Sequence, residues 1–419
     1  MDDHIEFVFL YHPHTYDMDP GAQVGLGMLL LATYAKKLGA SVKVINAQSK
    51  TIEEACEAVP NCDFLMMYGC MVDQHIVEDI ALRIEAEKKA RYICLGGPIA
   101  YGHYIKVKGI NYIVDGYGED FIYAMLEPSN IATFNPAELR HNINYYPFPD
   151  RSLLKGKYGG KIFKGDGLTY DVSTTLLTSR GCKFNCAFCF SGDNSFFEEY
   201  SIERLGAELE SCTRLGIYNI RISDDNLVAN TDRLHALCSL FKDAGIRWRG
   251  SIRVVPNDLY LYEMMKDSGC EELSFGIESG DQKVLNLLNK GATVTQNTKA
   301  IVNAKRAGIL TRALMMMGTP GETKNTIHHN MSWIEAARPD VVSLKMFVPY
   351  PGTAIYHSPK VYNCNIHLPI IDANNSAYRP DHSQPKAHID SERMYQEELT
   401  AAFAQMKNYL EMKGIANHG

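Results

Sequence analysis

TSRGCKFNCAFCF, residues 178–190, is the stretch from which the rest of the chain is read. It sets three thiols, Cys182, Cys186 and Cys189, at C-x3-C-x2-C spacing. Thiolates select soft metals: zinc, copper(I) or iron–sulfur. Structural zinc wants a fourth protein ligand close by. No His occurs between 183 and 200, and the next thiol, Cys212, falls in the following helix-like run. Three thiolates on a four-iron cluster leave one iron open to a small molecule. Phe184, Phe188 and Phe190 alternate with the thiols and would wall the centre from water. The plainer alternative is three buried thiols with no metal, which gives no reason for their crowding. The chain has 11 cysteines, an odd number that cannot all pair. Others, such as Cys70, Cys94 and Cys238, read as small buried hydrophobes.

Outward from this stretch the chain alternates strand and helix. STTLLTSRG (173–181) reads as a strand. YNIRISDDNL (218–227), IRWRGSIRVV (246–255), EELSFGIESG (271–280), ILTRALMMMGTP (309–320) and DVVSLKMFVPY (340–350) follow, with a helix between each pair. Thr231 and Asn257 read as caps of two of these helices. Six strands and five helices predict a partial (β/α)6 barrel over 173–357, with its chemistry at the strand carboxyl ends. Residues 1–126 alternate in the same way. IEFVFLY (5–11), SVKVINA (41–47), DFLMMYGC (63–70), RYICLGGP (91–98) and NYIVDGYGE (111–119) predict a Rossmann-like open parallel sheet. Residues 127–172 are a Pro-, Gly- and Asn-rich linker, and 358–419 a short C-terminal region closed by a helix within 391–414. The fold class is α/β throughout.

Composition agrees. Of 419 residues, 46% are hydrophobic and 22% charged, which is globular. Lys+Arg of 42 against Asp+Glu of 49 gives −7, against a broad electrostatic grip on nucleic acid or anionic lipid. No apolar run reaches bilayer length and no secretory signal is visible, so a cytoplasmic location is expected, with neither nucleic acid nor membrane as partner.

The cysteine spacing after the first strand of a partial barrel resembles the signature of radical S-adenosylmethionine (SAM) enzymes. FGIESG (275–280), MGTPGET (317–323) and FVPYPGT (347–353) resemble strand-end motifs of the branch with an N-terminal cobalamin-binding-type domain. YPFPDRSLL (146–154) resembles its linker. PGAQVGLGMLLLATYAKKLG (20–39) and the GGP and GYGE turns resemble its first domain. The resemblance implies a [4Fe-4S] cluster on Cys182, Cys186 and Cys189, with SAM chelated at the open iron. One electron, from a donor such as flavodoxin or ferredoxin, cleaves SAM. The resulting 5′-deoxyadenosyl radical removes hydrogen from a small-molecule substrate. Cobalamin-dependent C-methylation is the expected outcome. The alternative is cobalamin-free dehydration, epimerisation or cyclisation. A bare metal-binding module would have no need of the strand-end turns.

The remaining candidates follow from position. Glu278 would accept from the ribose hydroxyls or ammonium of SAM, or else cap a helix; Ser279 is a lesser candidate of the same kind. Arg253 would pair the SAM carboxylate, or else Asp224 or Asp225. Met316, among Met315–Met317, would line the adenine site, and Gly318 would let the backbone approach. Asp224, Glu322 and Tyr350 are the candidate catalytic groups facing substrate, with turn capping, helix initiation and packing as their plainer roles. The acids Asp224, Asp225 and Glu322 suit a hydroxyl- or amine-rich substrate such as a sugar or aminoglycoside. In the first domain Gly97 and Gly118 would approach cobalamin, which would lie between that sheet's carboxyl ends and the barrel mouth. D-x-H-x-x-G is absent, leaving His12, His14 and His75 as alternative cobalt ligands. The cofactor's tail would have to pass Tyr68, Met71 and Tyr117. Should those side chains fill the groove, the domain is a scaffold and no methyl is transferred.

Overall fold

The computed structural model describes residues 5–13, 25–103, 106–126, 142–154, 160–164, 167–190, 197–228, 230–254, 258–367 and 386–417. Two compact units result. One holds 1–162, 169–175 and 203–217, the other 163–168, 176–202 and 218–419. Of the expected linker, the described residues 142–154, 160–162 and 169–172 cluster with the first unit.

The first unit begins with strands β1 (Glu6–Tyr11), β2 (Ser41–Asn46), β3 (Cys62–Tyr68), β4 (Ala90–Gly96) and β5 (Tyr112–Ile113). Helices α1 (Leu26–Lys37), α2 (Ile52–Ala58), α3 (Gln74–Ala86) and α4 (Gly118–Leu126) alternate with them. The strands pair in parallel in the order β2-β1-β3-β4-β5. Near-continuous apolar runs make the inner strands: Phe7 to Leu10 are fully buried, and Phe7 stacks on Phe64 at 4.8 Å. Thr51 caps α2 in a reciprocal box with Glu54. The order reverses between β1 and β3, and ligands of such sheets bind at that switch point.

Arg151 of the YPFPDRSLL segment is buried. It donates from Nη2 to Glu208 Oε1 at 2.8 Å and to the Thr175 carbonyl at 2.7 Å, and from Nε to Thr174 Oγ1 at 3.0 Å. Glu208 lies on α5 (Ile202–Arg214) and takes a second ion pair from Arg204. A hairpin, β6 (Gly160–Lys164) and β7 (Gly167–Asp171), precedes β8 (Ser173–Leu176).

The second sheet has seven strands. β8 is followed in space by β11 (Asn219–Ile222), β12 (Arg247–Ile252), β13 (Cys270–Glu278), β14 (Leu310–Met317), β15 (Val341–Met346) and β18 (Ala416–Asn417). Pairing from β11 to β18 is parallel throughout. Helices α6 (Thr231–Asp243), α7 (Leu259–Asp267), α8 (Gln282–Leu287), α9 (Val294–Arg306) and α10 (Lys324–Ala337) intervene. Beyond them come α11 (Ala354–His357), the hairpin β16 (Cys364–Ile366) and β17 (Ile389–Ser391), and α12 (Gln396–Met412). The six expected strands are present, and β18 adds a seventh. The C-terminal region is therefore not only helical: α12 and β18 carry the helix–strand rhythm one step further.

Two expectations shift locally. STTLLTSRG is not one strand. After Leu176 the chain leaves the sheet, and β9 (Ser179–Gly181) pairs antiparallel with β10 (Phe197–Glu199). Asp224 causes the break, because its carboxylate takes the Thr178 N–H, the Thr178 hydroxyl and the Ser179 hydroxyl. The caps also move by one residue. Asn230 rather than Thr231 caps α6 through Arg233 N, and Asp258 precedes α7, Asn257 lying outside the described residues.

Candidate active site

Directly after β9 the chain enters the cysteine loop, which is held from three sides. The Ala187 N–H donates to the Leu288 carbonyl at 2.9 Å, and the Ile355 N–H to the Ala187 carbonyl at 3.1 Å. Asn289 Nδ2 donates to both the carbonyl and Oδ1 of Asn185, each at 2.9 Å. Asn289 sits in the left-handed region at φ 52°, which ends α8 and turns its side chain onto the loop. From β12, Arg253 Nη1 donates to Cys186 Sγ at 3.0 Å while its guanidinium covers the Phe184 ring at 3.8 Å. Phe190 packs against Tyr350 at 5.5 Å.

Cys186 is buried, while Cys182 and Cys189 are half-buried. Burial pushes the Cys182 thiol up, against the Phe184 N–H. Among the described residues no three His, Cys, Asp or Glu groups close to metal-binding distance. The chemistry of the donor set nevertheless fits an iron–sulfur centre. Three thiols lie on one clamped loop, interleaved with Phe184, Phe188 and Phe190, and a guanidinium donates to one of the sulfurs.

Glu278 ends β13 at φ 64°, a left-handed position unusual for a residue with a side chain, beside a register shift against β14. Its carboxylate is buried and takes Lys290 Nζ at 2.7 Å. A Cβ on Gly276 would stand 2.7 Å from Lys290 Nζ and 2.8 Å from Glu278 Oε1, so only glycine leaves this pair its room. Lys290 in turn faces the Phe188 ring at 5.9 Å. Glu278 Oε1 is thus tied to the turn that clamps the cysteine loop. Ser279 is buried in a turn, donating to Asn330 Oδ1 and accepting from the Asp281 N–H. This is the plainer of its two expected roles.

Arg253 reaches Cys186 rather than Asp224 or Asp225. Its Nε is buried without a partner. Met316 alternates in exposure with its buried neighbours Met315 and Met317, so it alone of the three turns to the less covered face of β14. Gly318 adopts φ 82°, and a Cβ there would meet Met346 Sδ at 2.6 Å.

The two candidate acids are engaged locally. Asp224 is spent on Thr178 and Ser179, and burial pushes its carboxyl up against those hydrogen bonds. Glu322 takes the Gly318 N–H, the Thr319 N–H and the Thr319 hydroxyl, folding its own turn. Complete burial pushes it up to about 7. Both shape the strand ends, so the case for a hydroxyl- or amine-rich substrate loses two of its three acids. Asp225 remains exposed. Tyr350 closes over Phe190 and accepts the Thr353 hydroxyl on its carbonyl.

At the first unit's switch point the crevice is bridged. His12 is buried, with Nδ1 2.8 Å from the Pro13 carbonyl and Nε2 2.6 Å from the Tyr68 carbonyl. Both ring nitrogens face backbone carbonyls, and which of the two donates depends on the tautomer. Asp73 Oδ2 stands 4.0 Å from Nε2 and accepts the Cys70 N–H. Tyr68 lies on Gly97, where a Cβ would be 2.6 Å from its ring. A Cβ on Gly118 would be 2.7 Å from Leu31. Both glycines therefore make room for the protein's own side chains, and an open cradle for a cofactor tail at Gly97 requires Tyr68 to move. Met71 is buried and His75 exposed. His14 lies outside the described residues.

Sequence reading missed Lys290 and Asn289. The signal was the turn N-K-G directly after GIESG and its short helix.

The sequence matches the Radical SAM superfamily over residues 176–334. It is 31% identical over 227 residues to an uncharacterised methyltransferase of Pyrococcus horikoshii, covering 53% of this chain and 48% of that protein. It is 27% identical to the hopanoid C-3 methylase of Methylococcus capsulatus, covering 50% of this chain and 40% of that one. The chain thus spans about half the length of these relatives or less. In fold it resembles OxsB, a cobalamin-dependent SAM radical enzyme seen with aqua-cobalamin and SAM bound. The TM-score is 0.72 at 14% identity, over 98% of this chain and 67% of that one. It also resembles the radical SAM methyltransferase TsrM of Kitasatospora setae, with TM-score 0.63 at 15% identity, over 84% of this chain and 74% of that one. Among the described residues no helix is long and apolar enough to cross a membrane.

Proposed function

We propose that this chain, which carries a radical SAM domain at 176–334, is a radical SAM methyltransferase acting on carbon of a small molecule. The observation that carries the reading is the C-x3-C-x2-C loop clamped at the carboxyl end of the barrel sheet, in a chain whose fold resembles those of OxsB and TsrM. Methyl transfer is taken from the named relatives, several of which are methylases.

A [4Fe-4S] cluster on Cys182, Cys186 and Cys189 would supply the electron that cleaves SAM, itself reduced by a donor such as flavodoxin or ferredoxin. The chain's own part is positional. Arg253 donates to Cys186 and holds Phe184 flat against itself. Phe184, Phe188 and Phe190 would exclude water from the loaded centre. Leu288, Asn289 and Ile355 fix the loop backbone, so the reacting groups meet in one geometry. Glu278 and Arg253 stand on neighbouring strand ends, where the amino and carboxylate groups of SAM would be met.

Cobalamin is the proposed methyl carrier on the strength of likeness to OxsB and TsrM. The second reading, hydrogen abstraction without cobalamin, is favoured by one observation: Tyr68 already covers Gly97. Equilibrium dialysis with hydroxocobalamin separates the two. Methylation expects binding, with label passing from the SAM methyl group to product. No binding, together with 5′-deoxyadenosine release, would leave the second reading.

A further inference from the structure

Arg253 is held at both ends. Its backbone N–H donates to Asn226 Oδ1 at 3.1 Å, and Asn226, itself buried, donates from Nδ2 to the Val228 carbonyl at 3.0 Å. Beside it the Leu227 N–H donates to the Ser251 carbonyl at 3.2 Å, so the segment after β11 is latched to the end of β12. At the other end the guanidinium lies over the Phe184 ring, 3.8 Å from its centroid, and Nη1 donates to Cys186 Sγ at 3.0 Å. Arg253 is 7% exposed and Cys186 8%. One N–H is therefore aimed at one named sulfur of the three, and the bond is shut away from water.

A thiol that coordinates a metal is held as thiolate. Hydrogen bonds to the sulfurs and solvent exposure are among the levers that set the potential of an iron–sulfur centre, and both act at Cys186. Reduction adds an electron, so negative charge grows on the iron and its sulfurs. A permanent cation donating to one of those sulfurs stabilises the reduced state more than the oxidised one. Burial leaves that difference little screened. The residue type matters as well. A flat guanidinium can stack on Phe184 and still point an N–H at sulfur, whereas an ammonium is a point charge on a flexible stem.

We infer that Arg253 raises the reduction potential of a cluster on Cys182, Cys186 and Cys189 through its bond to Cys186 Sγ. The inference deepens the radical SAM reading proposed above and rests on it. One electron leaves the reduced donor, a flavodoxin or ferredoxin, and enters the cluster. The same electron then enters the sulfonium of SAM, whose carbon–sulfur bond breaks to give methionine and the 5′-deoxyadenosyl radical. Arg253 makes the first transfer more favourable and the second less favourable by the same amount. Its Nη1 is committed to sulfur, so this effect does not depend on SAM being bound.

The test is an anaerobic redox titration of reconstituted holoenzyme, followed by electron paramagnetic resonance, with SAM left out so that the protein's own bond is read alone. Arg253→Met removes charge and donor together. Reduction should become at least tenfold less favourable, a fall in potential of about 59 mV for one electron. Arg253→Gln keeps a neutral donor and Arg253→Lys an undirected charge, and both should fall between Met and wild type. If Arg253→Met takes up too little iron to titrate, Arg253→Gln carries the test with the same sign. A potential equal to or above that of wild type would overturn the inference, and weaker SAM binding in the same variant would then assign Arg253 to the SAM carboxylate alone. Failure of all three variants to take up iron would also overturn it, leaving Arg253 a residue of cluster assembly. Iron, sulfide and SAM cleavage of the wild-type protein report separately on the radical SAM reading.

Discussion

Two strand edges of this protein end in glycine turns and are used in opposite ways. In the barrel sheet, Gly276 clears space for a buried charged pair, Glu278 with Lys290, which braces the turn holding the cysteine loop. In the first sheet, Gly97 and Gly118 clear space for Tyr68 and Leu31, and His12 bridges β1 and β3 where a ligand crevice would open. The same residue type at the same kind of position makes room for a charged brace in one case and for packing side chains in the other. What differs is the group that moves into the space.

The largest effect expected from breaking this contrast is at Glu278. Glu278→Gln strands the Lys290 ammonium in a buried position and should cost about 3–5 kcal/mol in denaturant unfolding. Adding Lys290→Met should recover most of that loss. SAM affinity measured on the double variant then separates bracing from contact. A restored fold with weak SAM binding assigns Glu278 to SAM, while restored binding leaves it the brace alone.

Glu322 should show next. Its folded value of about 7 lies above the ordinary 4.5, so between those pH values the native state holds more protons than the unfolded one. Stability should therefore fall as pH rises through that window, by about 3 kcal/mol, and level off above it. Glu322→Gln should flatten that slope. An unchanged slope would mean that other groups set it; Asp224, raised by burial in the same direction, is the first to examine.

The smallest effect is in the first sheet. Tyr68 is 37% exposed, so Tyr68→Ala should cost only about 1 kcal/mol. It should also uncover Gly97 and tighten hydroxocobalamin binding. Equal binding in variant and wild type would show that the ring does not gate the crevice.

Much of this was legible in the sequence. Both parallel sheets followed from apolar runs alternating with amphipathic ones, and the cysteine spacing located the loop. What was hidden depended on distant partners. That STTLLTSRG breaks after Leu176 depends on Asp224, 46 residues after Thr178. That Arg253 serves a cysteine rather than an aspartate depends on where the loop folds back. A two-residue strand after the last helix, β18, is too short to carry a pattern. Conversely, acids at strand ends looked available for chemistry because sequence does not reveal the N–H groups that consume them.

The central claim is that the clamped loop, and not the bridged sheet edge, holds the reactive centre. Anaerobic reconstitution followed by iron, sulfide and 5′-deoxyadenosine analysis tests it most directly. The account predicts about four irons and four sulfides per chain with SAM cleavage, as for a four-iron cluster. It also predicts loss of both when Cys182, Cys186 and Cys189 are replaced by Ala. SAM cleavage that survives the triple replacement would contradict it.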